Sequence, residues 1–285
     1  MGPAPAADDA RHTWALPETT SVAAPAPPPA NAAPNPEPAL ADVMREQLGA
    51  VGLALRNEAR VVAAIMALIT VFWLLGDDQE TFLVEPEAAL PAALLALLVP
   101  MAVWKGEGPG QRGYHRAMPL EPGVHAVIRG GAGLAWTLAA MAAYFAWMGL
   151  VTAVTGGRVE DTVPWQWAAP FAGAAVLYLL GSALTLVSSH PWRWLGGGVV
   201  GYLFLDGFRE VDALRPIGDL IHAVLKGRFG IYTLLTGWSP EFSGMMSKYH
   251  WSQVADVGAW LASVAVWLAV GVGAFAVAAY RQPES

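Results

Sequence analysis

Three apolar runs decide what this chain can fold into. Gly131 to Thr155, Thr162 to Ser189 and Val257 to Tyr280 contain no charged residue. A helix rises about 1.5 Å per residue, so roughly 20 apolar residues cross the hydrocarbon of a bilayer. Each run meets that length. The chain has 285 residues, 55% of them hydrophobic and only 14% charged, and a mean hydropathy of +0.42. Length alone would suggest two soluble domains, but hydropathy overrides that prior. The expected class is all-α: a polytopic membrane protein with about six transmembrane helices.

Residues 1–39 form a separate region. They are rich in Ala and Pro, as in Ala24-Pro25-Ala26-Pro27-Pro28-Pro29. They lack the apolar core of a signal peptide and cannot bury enough surface to offset chain entropy. A disordered cytoplasmic tail is expected, followed by a membrane domain over residues 40–285.

The membrane domain opens at Leu40 to Leu55, where Met44, Leu48, Val51 and Leu55 recur at helical spacing among polar residues. The pattern predicts an interfacial helix leading into the first span, or a simple extension of that span. The six spans are expected at about Val61–Gly76, Ala88–Trp104, Gly130–Thr155, Trp165–Ser189, Trp192–Leu205 and Val257–Tyr280. Trp73, Trp104, Trp165, Trp167, Trp192 and Trp194 fall near span ends, where interface aromatics belong. Between the fifth and sixth spans, Leu220, Ile221, Val224 and Leu225 share a helical face. Phe229 to Leu235 is apolar but too short to span. Interfacial or re-entrant helices shielded by protein are expected there.

Lys and Arg set the orientation. Arg45, Arg56, Arg60, Lys105, Arg112, Arg116, Arg129, Arg193 and Arg281 fall on one side, and only Arg158 falls in the short loops of the other. Both termini are therefore expected in the cytoplasm of a bacterial inner membrane. The segment from Asp206 to Asp256 carries further basic residues, but long segments cross with less regard to charge.

Several chemistries lack their residues. There is no cysteine, which removes disulfides, thiolate catalysis and cysteine-ligated metals. A net charge of −7 argues against nucleic acid as a partner. No GxxxxGK[ST] loop is present, and Gly130-Gly131-Ala132-Gly133 follows no strand. His115, His125, His190, His222 and His250 show no HExxH or HxxxH spacing. Ser188-Ser189-His190 is contiguous, but a catalytic dyad needs convergence in space. Asp206 and Glu210 are the carboxylates nearest a span, and loop solvation explains them. No catalytic, metal or cofactor site is expected. Gly197 to Gly201, Gly173 with Gly181, and Gly271 with Gly273 form small-residue faces suited to close helix packing.

The second cytoplasmic loop is the most informative segment. It is turn-rich from Lys105 and reaches Ala117-Met118-Pro119-Leu120. A short helix, about Glu121 to Arg129, then runs into the third span, with Pro122 suited to its first turn. This loop resembles that of integral-membrane permease subunits of the type 2 ATP-binding-cassette transporters. In that family a small-residue-Leu/Met-Pro-hydrophobic motif precedes a short coupling helix between the second and third spans. The family commonly has a basic residue soon after the Pro, where this chain has Glu121 and His125.

The resemblance implies a permease subunit of an ATP-driven exporter, not itself an enzyme, pushed by a separate cytoplasmic ATPase. Tyr114, Met118, Pro119, Leu120, Val124, Val127 and Arg129 would form the docking loop. A homodimer or a pair with a related permease is implied, with membrane lipids around it. The spans offer few charges, which favours an apolar, lipid-like substrate. The competing expectation is a non-enzymatic accessory subunit of a respiratory or photosynthetic membrane complex. In that case mid-span Trp136, Trp147, Trp260 and Trp267 would pack against lipids, pigments or neighbouring subunits.

Overall fold

The last apolar run becomes one unbroken helix, Val257–Tyr280, and the rest of the domain is arranged around helices of the same kind. The structure is a computed structural model. It describes residues 40–75, 81–82, 89–105, 122–159, 164–203, 211–227, 229–241 and 250–280. The Ala/Pro-rich region 1–39, Asp206, Glu210 and the loop residues Tyr114, Met118, Pro119 and Leu120 lie outside that set.

The architecture is all-α. Helices α1 (Leu40–Ala54), α2 (Arg56–Leu75), α3 (Ala89–Trp104) and α4 (Pro122–Val154) come first. A 3₁₀ turn (Pro164–Ala168) leads into α5 (Ala169–Val187), followed by α6 (Pro191–Leu203), α7 (Arg215–Lys226), α8 (Ile231–Thr236) and α9 (Val257–Tyr280). Two short strand pairings accompany them. β1 (Thr81–Phe82) runs parallel to β2 (Arg158–Val159). β3 (Trp238–Glu241) runs antiparallel to β4 (His250–Val254), with a shift in register between Ser239 and Glu241. Neither pairing was anticipated from the sequence.

Among the described residues, three helical stretches are long and apolar enough to cross a membrane: Gly123–Val154, Trp165–Val187 and Val257–Tyr280. The other three expected spans fall short of that standard. α2 opens with Arg56, Glu58 and Arg60, and its uncharged part rises only about 22 Å. α3 has 16 residues and α6 has 13.

α5 is the hub. It packs most extensively against α3 and α9, and also against α4 and α8. Its buried face includes Gly173, Val176, Tyr178, Gly181 and Leu186. Pro100 interrupts the hydrogen-bond ladder inside α3, and it sits against Gly181, where an added Cβ would lie 3.1 Å from its ring. One core cluster joins Val51, Val103, Trp104, Ala132, Tyr178, Leu186 and Phe275 from five helices. A second joins Leu95, Met141, Tyr144, Phe145 and Ala174.

α1 follows its sequence pattern. Val51 is fully buried and Leu55 nearly so, while Arg45 stays outside, beside Asp42 at 3.5 Å. The buried face meets α4, where Trp136 Nε1 donates to the Leu48 carbonyl at 3.0 Å. Helical hydrogen bonds from Leu55 to Val51 and from Ala59 to Leu55 carry the chain into α2. α1 is thus a protein-packed helix continuing into α2, rather than a helix held only by an interface.

Of the six tryptophans expected at a lipid interface, three are packed within the protein. Trp104 is buried against Phe275, with ring centroids 6.4 Å apart. Trp165 lies 5.0 Å from Trp260, and Trp167 lies 5.9 Å from Phe145. Trp192 and Trp194 are exposed. The side chain of Trp73 lies outside the described set.

Candidate functional site

The bundle has two distinct ends. At the first, the connection between α3 and α4 leaves and returns. Arg129, in the second turn of α4, donates from Nε (3.1 Å) and Nη2 (2.7 Å) to the Val103 carbonyl. That carbonyl is one of the last four of α3, which have no partner inside their own helix. The guanidinium also lies 6.0 Å from the centre of the Trp104 ring. A cation beside the last carbonyls of a helix and over an aromatic face gains from both the helix dipole and the ring quadrupole.

The same end gathers the termini of other helices. An added Cβ at Gly130 would lie 2.6 Å from the Phe275 ring, and one at Gly123 would lie 2.8 Å from the Tyr280 ring. The start of α4 therefore lies directly on the last turns of α9. Gly133 accommodates the Tyr178 hydroxyl. Tyr178 and Ser182 stand one turn apart on α5, fully buried. Their hydroxyls interact without reaching full hydrogen-bond geometry.

A short helix from about Glu121 to Arg129 was expected to run into the third span, and residues 122–129 are the first turns of a 33-residue helix that continues through Gly130 and Gly131 to Val154. Gly130 lies against the Phe275 ring, which leaves no room for a side chain there. Pro122 does sit at the first position, as expected.

The docking residues divide accordingly. Val124 is 39% exposed and Val127 is 52% exposed, so both can meet a partner. Arg129 turns inward to α3 and closes the root of the loop. His125, Ala126 and Ile128 are buried beside it.

The opposite end holds the chain that follows α2, α4 and α8. The β1–β2 pairing sets the chain after α2 beside the chain after α4. Trp147 Nε1 donates to Thr70 Oγ1 at 2.9 Å, tying α2 to α4. Here α8 is wedged between α5 and α9, with Thr233, Leu234 and Thr236 buried. Gly173 lets Leu235 approach the α5 backbone; an added Cβ would meet the Leu235 Cα at 3.0 Å. Gly237 ends α8 in the left-handed conformation (φ 71°) and lies against the Trp165 ring.

Donors on α9 satisfy carbonyls around α8. Trp267 Nε1 reaches the Phe229 carbonyl at 2.8 Å, and Ser263 Oγ reaches those of Phe229 (3.3 Å) and Gly230 (3.4 Å). Trp260 Nε1 reaches the Leu234 carbonyl at 3.4 Å. From Gly230 to Leu235 the short apolar segment is thus covered by protein, as expected, while the Phe229 side chain is 49% exposed. No sequence pattern pointed to the tryptophan and serine donors on α9 that cover it.

A small apolar cleft, with room for little more than a water molecule, lies between α2, α3 and α4. Val62, Ile65, Met66, Leu94, Leu95, Leu98 and Tyr144 line it. Such a lining suits hydrocarbon and offers little to a polar ligand.

The Ser188-Ser189-His190 run is a local turn between α5 and α6. Ser189 Oγ lies 2.8 Å from His190 Nδ1, and Ser188 Oγ accepts from the His190 amide at 3.1 Å. All three belong to one exposed turn, with no contribution from another helix. Among the described residues no three of His, Asp and Glu converge to hold a metal ion. No protein-family model matches the chain, and no curated protein or solved structure was found to be similar to it.

Proposed function

We propose that the chain is the membrane-spanning permease subunit of an ATP-driven exporter in a bacterial inner membrane. α2, α3 and α6 complete six transmembrane helices, and both termini are cytoplasmic. The protein works as a homodimer or as a pair with a related permease. A separate cytoplasmic ATPase docks on the connection between α3 and α4 and supplies the energy, since the chain carries no phosphate-binding loop of its own.

The observation that carries this reading is the closed root of that connection. Arg129 fastens the start of α4 to the end of α3, and Gly123 and Gly130 lay it on the end of α9. A push on Val124 and Val127 cannot be absorbed by a hinge between α3 and α4. It travels along the unbroken α4 toward the far end, where α8 is wedged between α5 and α9. The loops at the α3–α4 end carry most of the chain's short-loop Lys and Arg, which supports its cytoplasmic placement. The scarcity of charge in the spans supports a lipid-like substrate.

Replacing Val124 and Val127 by Asp tests the reading, because both side chains are exposed and neither is needed for packing. The variant is expected to insert normally but to lose the co-purifying ATPase and the transport it drives. A normal ATPase complex with full transport would overturn the proposal.

A further inference from the structure

α7 presents three different faces along its 12 residues. At 3.6 residues per turn, Gly218, Ile221, His222 and Leu225 share one side, and among the described side chains these are the buried or half-buried positions. Ile217, Leu220 and Val224 share a second side and are 54%, 66% and 40% exposed. Arg215 and Asp219 share a third, also exposed. A helix between protein and water needs only two faces. The third, apolar and uncovered, calls for a further environment.

The position of α7 identifies that environment. Its C-terminal end leads through Gly227 to Phe229, whose carbonyl is bound by Trp267 and Ser263 of α9. At that level α9 exposes Leu261, Val266, Leu268 and Val270. The C-terminal end of α7 therefore leads to the level of the apolar belt of a helix long enough to cross a membrane. The helix rises about 18 Å, too little to span. Its exposed charges balance, with Arg215 paired to Asp212 at 3.4 Å, so apolar insertion rather than attraction to anionic headgroups must hold it.

We propose that α7 is a boundary helix: Ile217, Leu220 and Val224 insert among lipid acyl chains while Arg215 and Asp219 stay in water. This rests on the membrane-spanning reading above. It separates α7 from α8, which protein covers on both sides.

The chain lacks cysteine, so single nitroxide labels can be placed by Leu220→Cys, Val224→Cys, Arg215→Cys and Asp219→Cys in the full chain in zwitterionic vesicles. Val266→Cys and Val270→Cys on α9 serve as reference positions. Collision with oxygen reports lipid, and collision with a water-soluble nickel chelate reports water. Labels at 220 and 224 should match those at 266 and 270, with nickel collision about tenfold below that at 215 and 219. Water contact at 220 and 224 with lipid contact at 266 and 270 would overturn the inference and leave the membrane reading intact. So would shielding of 220 and 224 from both reagents, which would mark a protein partner. Water contact at all six positions would overturn both.

Discussion

Helices α5 and α6 are neighbours in sequence and both rich in glycine, yet the glycines serve different ends. On α5, Gly173 admits Leu235 of the adjacent α8, and Gly181 seats Pro100 of α3. On α6, Gly196, Gly197, Gly198 and Gly201 have nothing within 4 Å of an added Cβ. The side chains around them, Trp192, Trp194 and Val200, are mostly exposed. A glycine in a helix interior costs about 0.5–1 kcal/mol relative to alanine. α5 offsets that cost by close packing inside the chain, and α6 does not. The same residue preference thus marks a finished interface in one helix and an unfilled one in the next. Among the described residues nothing packs on the α6 glycines.

Substitutions can break this contrast, the largest effect coming from α5. Gly173→Leu drives a side chain into the Leu235 backbone, and overpacking of this kind costs about 1–3 kcal/mol or more. A marked fall in the thermal midpoint of the detergent-solubilised protein is expected, with α8 displaced. An unchanged midpoint would mean that α8 does not sit against α5.

Arg129→Ala acts on α3, the helix packed most extensively against α5. It strips the Val103 carbonyl of two charged donors, a loss of about 1–3 kcal/mol. Faster amide exchange at the end of α3 and the start of α4 should accompany it, and unchanged exchange would argue against the clamp.

Gly197→Ala is the smallest and has the opposite sign. With space around it, the added methyl should raise the stability of the solubilised monomer by about 0.5–1 kcal/mol. A loss of stability would show that α6 is already packed.

Much of this architecture was legible in the sequence. Both ends of α9 follow from one uncharged run bounded by Asp256 and Arg281. The inward face of α1 follows from the spacing of Val51 and Leu55. The shielding of Gly230 to Leu235 follows from an apolar stretch too short to span.

What the sequence concealed depended on distant partners. The need for glycine at position 130 comes from Phe275, far along the chain, whose ring fills the space beside it. Arg129 looked like one more cation of an exposed loop, and only the end of α3 beside it turns the side chain inward. Trp104, Trp165 and Trp167 have the composition of a lipid interface, but Phe275, Trp260 and Phe145 claim them. The pairing of Thr81 with Arg158 joins strands too short to leave a periodic signature.

Sidedness is the most direct check on the central claim, that the closed α3–α4 root faces the cytosol where an ATPase can push it. The cysteine-free chain allows Tyr114→Cys and Arg158→Cys to be compared in intact cells with a membrane-impermeant maleimide. The account expects rapid labelling at 158 and labelling at 114 only after the inner membrane is opened. Labelling at 114 in intact cells, with 158 protected, would contradict it and leave the ATPase nothing to grip.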